Sequence, residues 1–216
     1  MKRAFSLIEM MIVLAVVGLL LAFAAPNLFS LISSNTLTSE GSVLRNQLTL
    51  AQQLAISKSA DVEVRFFKLA DFAAAETTEQ VRAFQLFQYN LEGELVPVSS
   101  FFRIRPPVAI NQRLSTIVPQ SAPEMSRTDE KFGFVSPRFG TYDAPVGDNG
   151  ALETTEYISF RFRPDGSTDL PYRAEGSDTW YITLVQGEGA ADDTDPANFL
   201  CLQVNPYNGQ ISEFRP

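Results

Sequence analysis

Few residues in this chain have the types and spacing that chemistry needs. The 216 residues contain no histidine and one cysteine. That excludes Ser/His and Cys/His catalytic arrangements, and histidine-based metal sites with them. Cys201 has no second cysteine to pair with, and its apolar strand context reads as a buried side chain. The richest acidic group is Glu188, Asp192, Asp193 and Asp195 in "GEGAADDTDP". Hard oxygen donors of this kind suit Ca²⁺, but the group lacks the alternating Asp-x-Asp order of an EF-hand loop. A solvated acidic loop is the competing reading. No carboxylate pair lies at a spacing that suggests acid/base work, so neither catalysis nor a cofactor is expected. The acid out of place is Glu9, inside "RAFSLIEMMIVLAVVGLLLAFAAP".

Around Glu9 the chain is apolar from Leu7 to Ala25 apart from Gly18, a run of 19 residues. At about 1.5 Å per residue a helix of this length covers roughly 28 Å, close to the hydrocarbon thickness of a bilayer. Lys2 and Arg3 precede it, which places the N-terminus on the cytoplasmic side. A carboxylate deep in such a helix costs about 2.5–3.5 kcal/mol, and no basic residue within the run offsets it. Three readings compete: a cleaved secretory signal ending at Ala22-Phe23-Ala24, a plain membrane anchor, and a short leader cut after Ala4 that leaves the apolar helix attached.

The stretch "AFSLIEMMIVLAVVGLLLAFAAP" resembles the N-terminus of type IV pilins and of the pseudopilins of type II secretion. In those proteins a basic leader ends in a small residue, usually Gly, followed by Phe, Ser or Thr, Leu, Ile or Val, and Glu. Phe5, Ser6, Leu7, Ile8 and Glu9 match in order, Ala4 stands in place of Gly, and Pro26 falls where many pilins kink. The resemblance implies cleavage after Ala4 by a prepilin peptidase and N-methylation of Phe5. It implies that Glu9 pairs with a neighbouring subunit's terminal amine during assembly. It further implies an inner-membrane, single-pass chain with a periplasmic head, whose partners are other pilin or pseudopilin subunits and an assembly platform.

The elements that carry these residues follow from periodicity. Beyond Pro26, Leu28, Leu31, Ile32, Leu44, Leu48, Ala51 and Ala55 recur at threes and fours, so one long helix is expected from about Phe5 to Ser57. Proline should bend it near Ala22–Ala25, and Gly41 loosen it again. The reading divides the chain into a leader at 1–4, a membrane and assembly helix at 5–27, an amphipathic helix at 28–58 and a β-rich head at 59–216. From Ala60 the period becomes two, with strands expected at 61–67, 82–89, 95–98, 101–105, 157–163, 180–186, 199–204 and 210–215. Turns fall at Glu92-Gly93, Pro164-Asp165-Gly166 and Asn208-Gly209. One leading helix followed by strands predicts an α+β fold with a mostly antiparallel sheet, pilin-like by the resemblance.

The segment "ISFRFRPDGSTD", with "WYITLV" and "LQVNPYNGQI", resembles the end of the minor pseudopilin H and FimT-like families. Phe162, Pro164, Gly166, Asn208 and Gly209 carry that likeness. "LTLAQQLAISKSADVEVRFFKLAD" is similar to the Verru_Chthon cassette protein D subfamily. Residues 119–156, with four Pro and four Gly in 38 positions, read as a long loop insertion with a short strand at Lys131–Val135. Its rings Phe132, Phe134, Phe139 and Tyr142 either bind a partner or cover one end of the sheet.

Charge narrows the partners. Residues 1–58 hold four basic and two acidic side chains; subtracting these from 17 and 25 leaves 13 basic and 23 acidic, a net of −10, for the remainder. An acidic head repels phosphate, so nucleic acid is not the expected partner. A soluble secreted binding domain behind a conventional signal and a DNA-uptake minor pilin are the alternatives; the first predicts a mature start at Ala25, the second a basic surface.

Overall fold

In the computed structural model, residues 7–70, 79–90, 92–121, 133, 135–146, 150–171, 180–186, 196 and 198–215 are described, and within the helix the side chains of 22–34 are not. Helix α1 spans Leu7–Lys58, 52 residues, and continues through Pro26 without ending. Among the described residues ten strands follow: β1 Val62–Ala70, β2 Glu79–Tyr89, β3 Leu95–Pro97, β4 Phe102–Arg103, β5 Val108–Ile110, β6 Arg138–Ala144, β7 Glu153–Phe162, β8 Trp180–Gln186, β9 Phe199–Val204 and β10 Ile211–Phe214. The chain divides into two units, Met1–Thr36 and Leu37–Pro216. Among the described residues the first contains helix alone.

In the second unit the sheet runs β10-β9-β8-β5-β2-β1-β7-β6, with β3 and β4 paired to β2. Every pairing is antiparallel. Among the described residues a helix and an antiparallel sheet make the fold α+β, as the periodicity predicts.

The helix packs because its apolar positions form one stripe. Leu37, Leu44, Leu48, Ala51 and Ala55 are fully buried, at steps of seven, four, three and four. They meet inward strand residues such as Val64, Phe66, Phe160, Leu184 and Leu202 in one core. Each buried Leu contributes about 1.5–3 kcal/mol. The polar gap expected between Ile32 and Leu44 is filled on its buried side by Leu37 and Gly41. A Cβ at Gly41 would come within 2.5 Å of Leu200 Cδ1, so its absence admits β9 against the helix. The helix closes at Ser59, whose φ of 51° turns the chain. The Ala60 amide donates to Ala55 O at 3.2 Å, satisfying a carbonyl the helix end leaves open.

The segment 119–156 differs from its reading as a loop. Arg138–Ala144 is β6, one of the sheet's end strands, and β7 begins at Glu153. The short strand expected at Lys131–Val135 is not found at its described positions, Gly133 lying in a turn and Val135 outside any strand. Tyr142 packs on Phe67 and Phe87, 6.0 and 5.1 Å between ring centres, so it covers the sheet's second face. Phe139 is exposed, and Phe132 and Phe134 lie outside the described residues.

Candidate functional site

The first candidate site is the start of α1. Glu9 sits in the first helical turn, where a carboxylate opposes the positive end of the helix dipole. Every described side chain from Leu7 to Leu21 is exposed. Leu7 is 80% accessible, and Ile8, Met11, Leu14 and Leu21 are each above 60%. An apolar surface of this kind, interrupted by Glu9, marks contact with a partner or a membrane. Among the described residues no helix is long and apolar enough to cross a membrane; the described side chains of the apolar half end at Leu21. Ala4 and Phe5 lie outside the described residues, as does the side chain of Pro26.

The second candidate is the pair of turns carrying the C-terminal likeness. After β7, Arg163 N–H donates to Ser167 O at 2.8 Å and Gly166 N–H to Arg163 O at 2.9 Å. Gly166 has φ +84°, which a non-glycine residue adopts only at a cost. The β9–β10 hairpin closes through Asn205 N–H to Gln210 O at 2.9 Å and Gly209 N–H to Asn205 O at 2.8 Å. Thr168 N–H donates to Pro206 O at 2.9 Å, joining the two turns. Helix residue Gln52 completes the junction, its Nε2 donating to Gly166 O at 3.1 Å and to Asn208 O at 2.5 Å. Gly209 has no room for a side chain: a Cβ there would overlap the Gly166 carbonyl and lie 2.6 Å from Gln52 Nε2. Phe162 is fully buried beneath. Phe162, Gly166, Asn208 and Gly209 therefore come together, Pro164 occupying the turn between Phe162 and Gly166. They lock two turns to a helix; this arrangement has no reactive group.

Sequence reasoning missed Gln52 and a buried ionic group on the sheet's second face. Glu63 Oε1 pairs with Arg65 at 2.7 Å and Oε2 with Arg161 at 2.9 Å. Asp169 accepts the Arg161 N–H at 2.7 Å and pairs with Arg138 at 3.3 Å. Arg65 stacks on Tyr157, Phe87 and Tyr142 at 4.2, 4.4 and 5.1 Å from the ring centres. Burial pushes the Asp169 carboxyl above its ordinary range, against the pull of Ser136, the Arg161 amide and the two arginines. The alternation "VEVRF" suggests a wet outer face for Glu63 and Arg65, yet they are only 2% and 9% exposed. The available signal was Tyr142, whose ring covers Arg65.

Burial raises the half-buried Cys201 thiol, giving it little thiolate character. Among the described residues no group of three His, Cys, Asp or Glu is placed to hold a metal ion. Glu188, Asp192, Asp193 and Asp195 lie outside them.

Residues 1–25 match the family model of the prokaryotic N-terminal methylation motif. Neither curated proteins nor solved structures give a match. The matched residues are those from the leader through the apolar run, and they support a type IV prepilin-like N-terminus that associates with pilin-type subunits and a prepilin peptidase.

Proposed function

We propose that this chain is a minor pilin or pseudopilin, a non-enzymatic structural subunit of an inner-membrane-anchored type II secretion or type IV pilus-like filament. The observation that carries the reading is the methylation motif with Glu9 five residues past Ala4. Cleavage after Ala4 frees the amine of Phe5, and methylation leaves that amine charged. The run Leu7–Ala25 anchors the chain in the bilayer with the head in the periplasm.

Within a filament each Glu9 faces a neighbour's Phe5 amine. Two opposite charges in a low-dielectric bundle offset the desolvation that either would bear alone, and this fixes the register of one subunit on the next. The exposure of every described side chain from Leu7 to Leu21 supports a segment kept for lipid and other subunits. The turns around Phe162, Gly166 and Gly209 favour the pseudopilin H and FimT-like group, with the Verru_Chthon cassette protein D subfamily as the narrower assignment.

The test is Glu9→Ala, followed by crosslinking to the major subunit and membrane fractionation. Membrane insertion should persist or improve slightly, since a costly charge is removed. Incorporation into the filament should fall, and Glu9→Asp should restore part of it. Assembly of Glu9→Ala at the parental level would refute the assigned role.

A further inference from the structure

The edge of β7 that faces away from β1 is covered by two segments that meet end to end. Strand β6 pairs with it from Ala144↔Glu153 to Arg138↔Ser159. From Arg161 onward the cover is the chain returning after β7. The Asp169 amide donates to Arg161 O at 3.0 Å, the Arg161 amide donates to Asp169 Oδ1 at 2.7 Å, and Thr168 bridges to Phe162. The two covers therefore meet beside Ser159 and Arg161.

Four side chains line that junction. Arg138 and Ser159 stand opposite each other across the β6–β7 ladder, so they share one face. Arg138 Nη2 lies 3.3 Å from Asp169 Oδ2, and the Ser136 hydroxyl neighbours the same carboxyl. Yet Ser136 Oγ, Arg138 Nη1, Ser159 Oγ and Asp169 Oδ2 are all closed to solvent, and none makes a hydrogen bond with a protein group. Arg138 Nη1 is 3.9 Å from Glu63 Oε2, beyond hydrogen-bond reach. Ser136, Ser159 and Asp169 are 0, 1 and 3% exposed. A buried polar atom without a partner costs more than a hydrogen bond contributes, and natural folds keep few of them. Here four belong to residues in one junction.

Their chemistry selects the partner. Ionised, Asp169 Oδ2 only accepts; Arg138 Nη1 only donates; each serine hydroxyl does both. A cation there would face the Arg138 guanidinium, and an anion would face the Asp169 carboxylate. A water accepts from Arg138 and one serine while donating to Asp169 and the other. It also serves a protonated Asp169, by turning to accept. The room comes from the two serines, short side chains set among long ones: Ser159 lies between Arg65 and Arg138 in the register of β1, β7 and β6.

We infer that the junction of β6 with the segment after β7 holds one internal water, bonded to at least three of Ser136, Arg138, Ser159 and Asp169. About three bonds is the usual number for a buried water. The water joins the first residue of an end strand to Asp169, so the two covers of β7 act as one.

The test is a crystal structure of the full-length chain in detergent, at a resolution that shows ordered water, with a second crystal soaked in bromide. One peak should lie within about 2.6–3.2 Å of at least three of the four atoms. It should give no anomalous signal after the soak. An absent peak, or a bromide signal in its place, overturns the inference. In solution, Ser136→Ala and Ser159→Ala should each raise the unfolding equilibrium constant in urea. Because both hydroxyls share one water, the double variant should fall short of the product of the single effects by about three-fold or more. Effects that multiply fully overturn the inference as well. Should either variant fail to fold, the crystals of the unaltered chain decide alone.

Discussion

At the scale of single residues the account turns on side chains that satisfy several partners at once. Gln52 donates to carbonyls of two different turns. Gln52→Ala leaves both short of a donor and should cost about 1–2 kcal/mol in urea unfolding. Gly209→Ala adds a strained φ of +64° to overlap with the Gly166 carbonyl and should cost at least as much. Asp165 offers a pH test. The Ser167 hydroxyl and amide, at 2.6 and 2.9 Å, hold its carboxyl below the ordinary 3.8. A carboxyl whose folded pKa is depressed stabilises above its unfolded pKa and loses that contribution as pH falls through the folded one. Asp165→Ala should therefore cost a few tenths of a kcal/mol near neutral pH, the exposed site being screened. The penalty should shrink as pH falls below 3.8 and vanish once the folded carboxyl is protonated. A penalty that persists in acid would place the effect in the turn's backbone instead. Gln52 was not legible in the sequence because its role depends on two turns 114 and 156 residues away.

Among the elements, legibility followed periodicity. The stripe Leu44, Leu48, Ala51, Ala55 identifies the packed half of α1, and Asn208-Gly209 identifies the β9–β10 hairpin. Strand β6 escaped because Gly140 interrupts it and Pro137 precedes it, both poor strand formers. The structure supplies the reason for the glycine: a Cβ there would lie 2.8 Å from the ring of Tyr157, its cross-strand partner. Strand β5 is three residues long behind Pro106-Pro107, too short for an alternation to register. The α1 stripe yields a prediction about where the head begins. A chain starting at Leu31 retains Leu37, Gly41, Leu44 and Leu48, and should be a soluble, β-rich monomer by circular dichroism and size exclusion. One starting at Thr49 loses the buried Leu37, Leu44 and Leu48, each worth about 1.5–3 kcal/mol, and should not fold. Aggregation of the longer chain would show that the apolar half belongs to the head's core.

On the scale of the whole molecule, opposite demands are separated along the sequence. The first 58 residues carry a net charge of +2 and the apolar run, while the remainder carries −10 over a sheet with two covered faces. The N-terminal motif was legible because its residues are local: Ala4, Phe5 and Glu9 fall within six positions. The buried Glu63–Arg161 group was not legible, since its burial depends on β6 and the loops folding over the sheet. Mass spectrometry of the membrane-extracted protein reads processing and anchoring together. The mature chain should start at Phe5 and be heavier by one N-methyl group. An intact Met1, or a chain starting at Ala25, would contradict it.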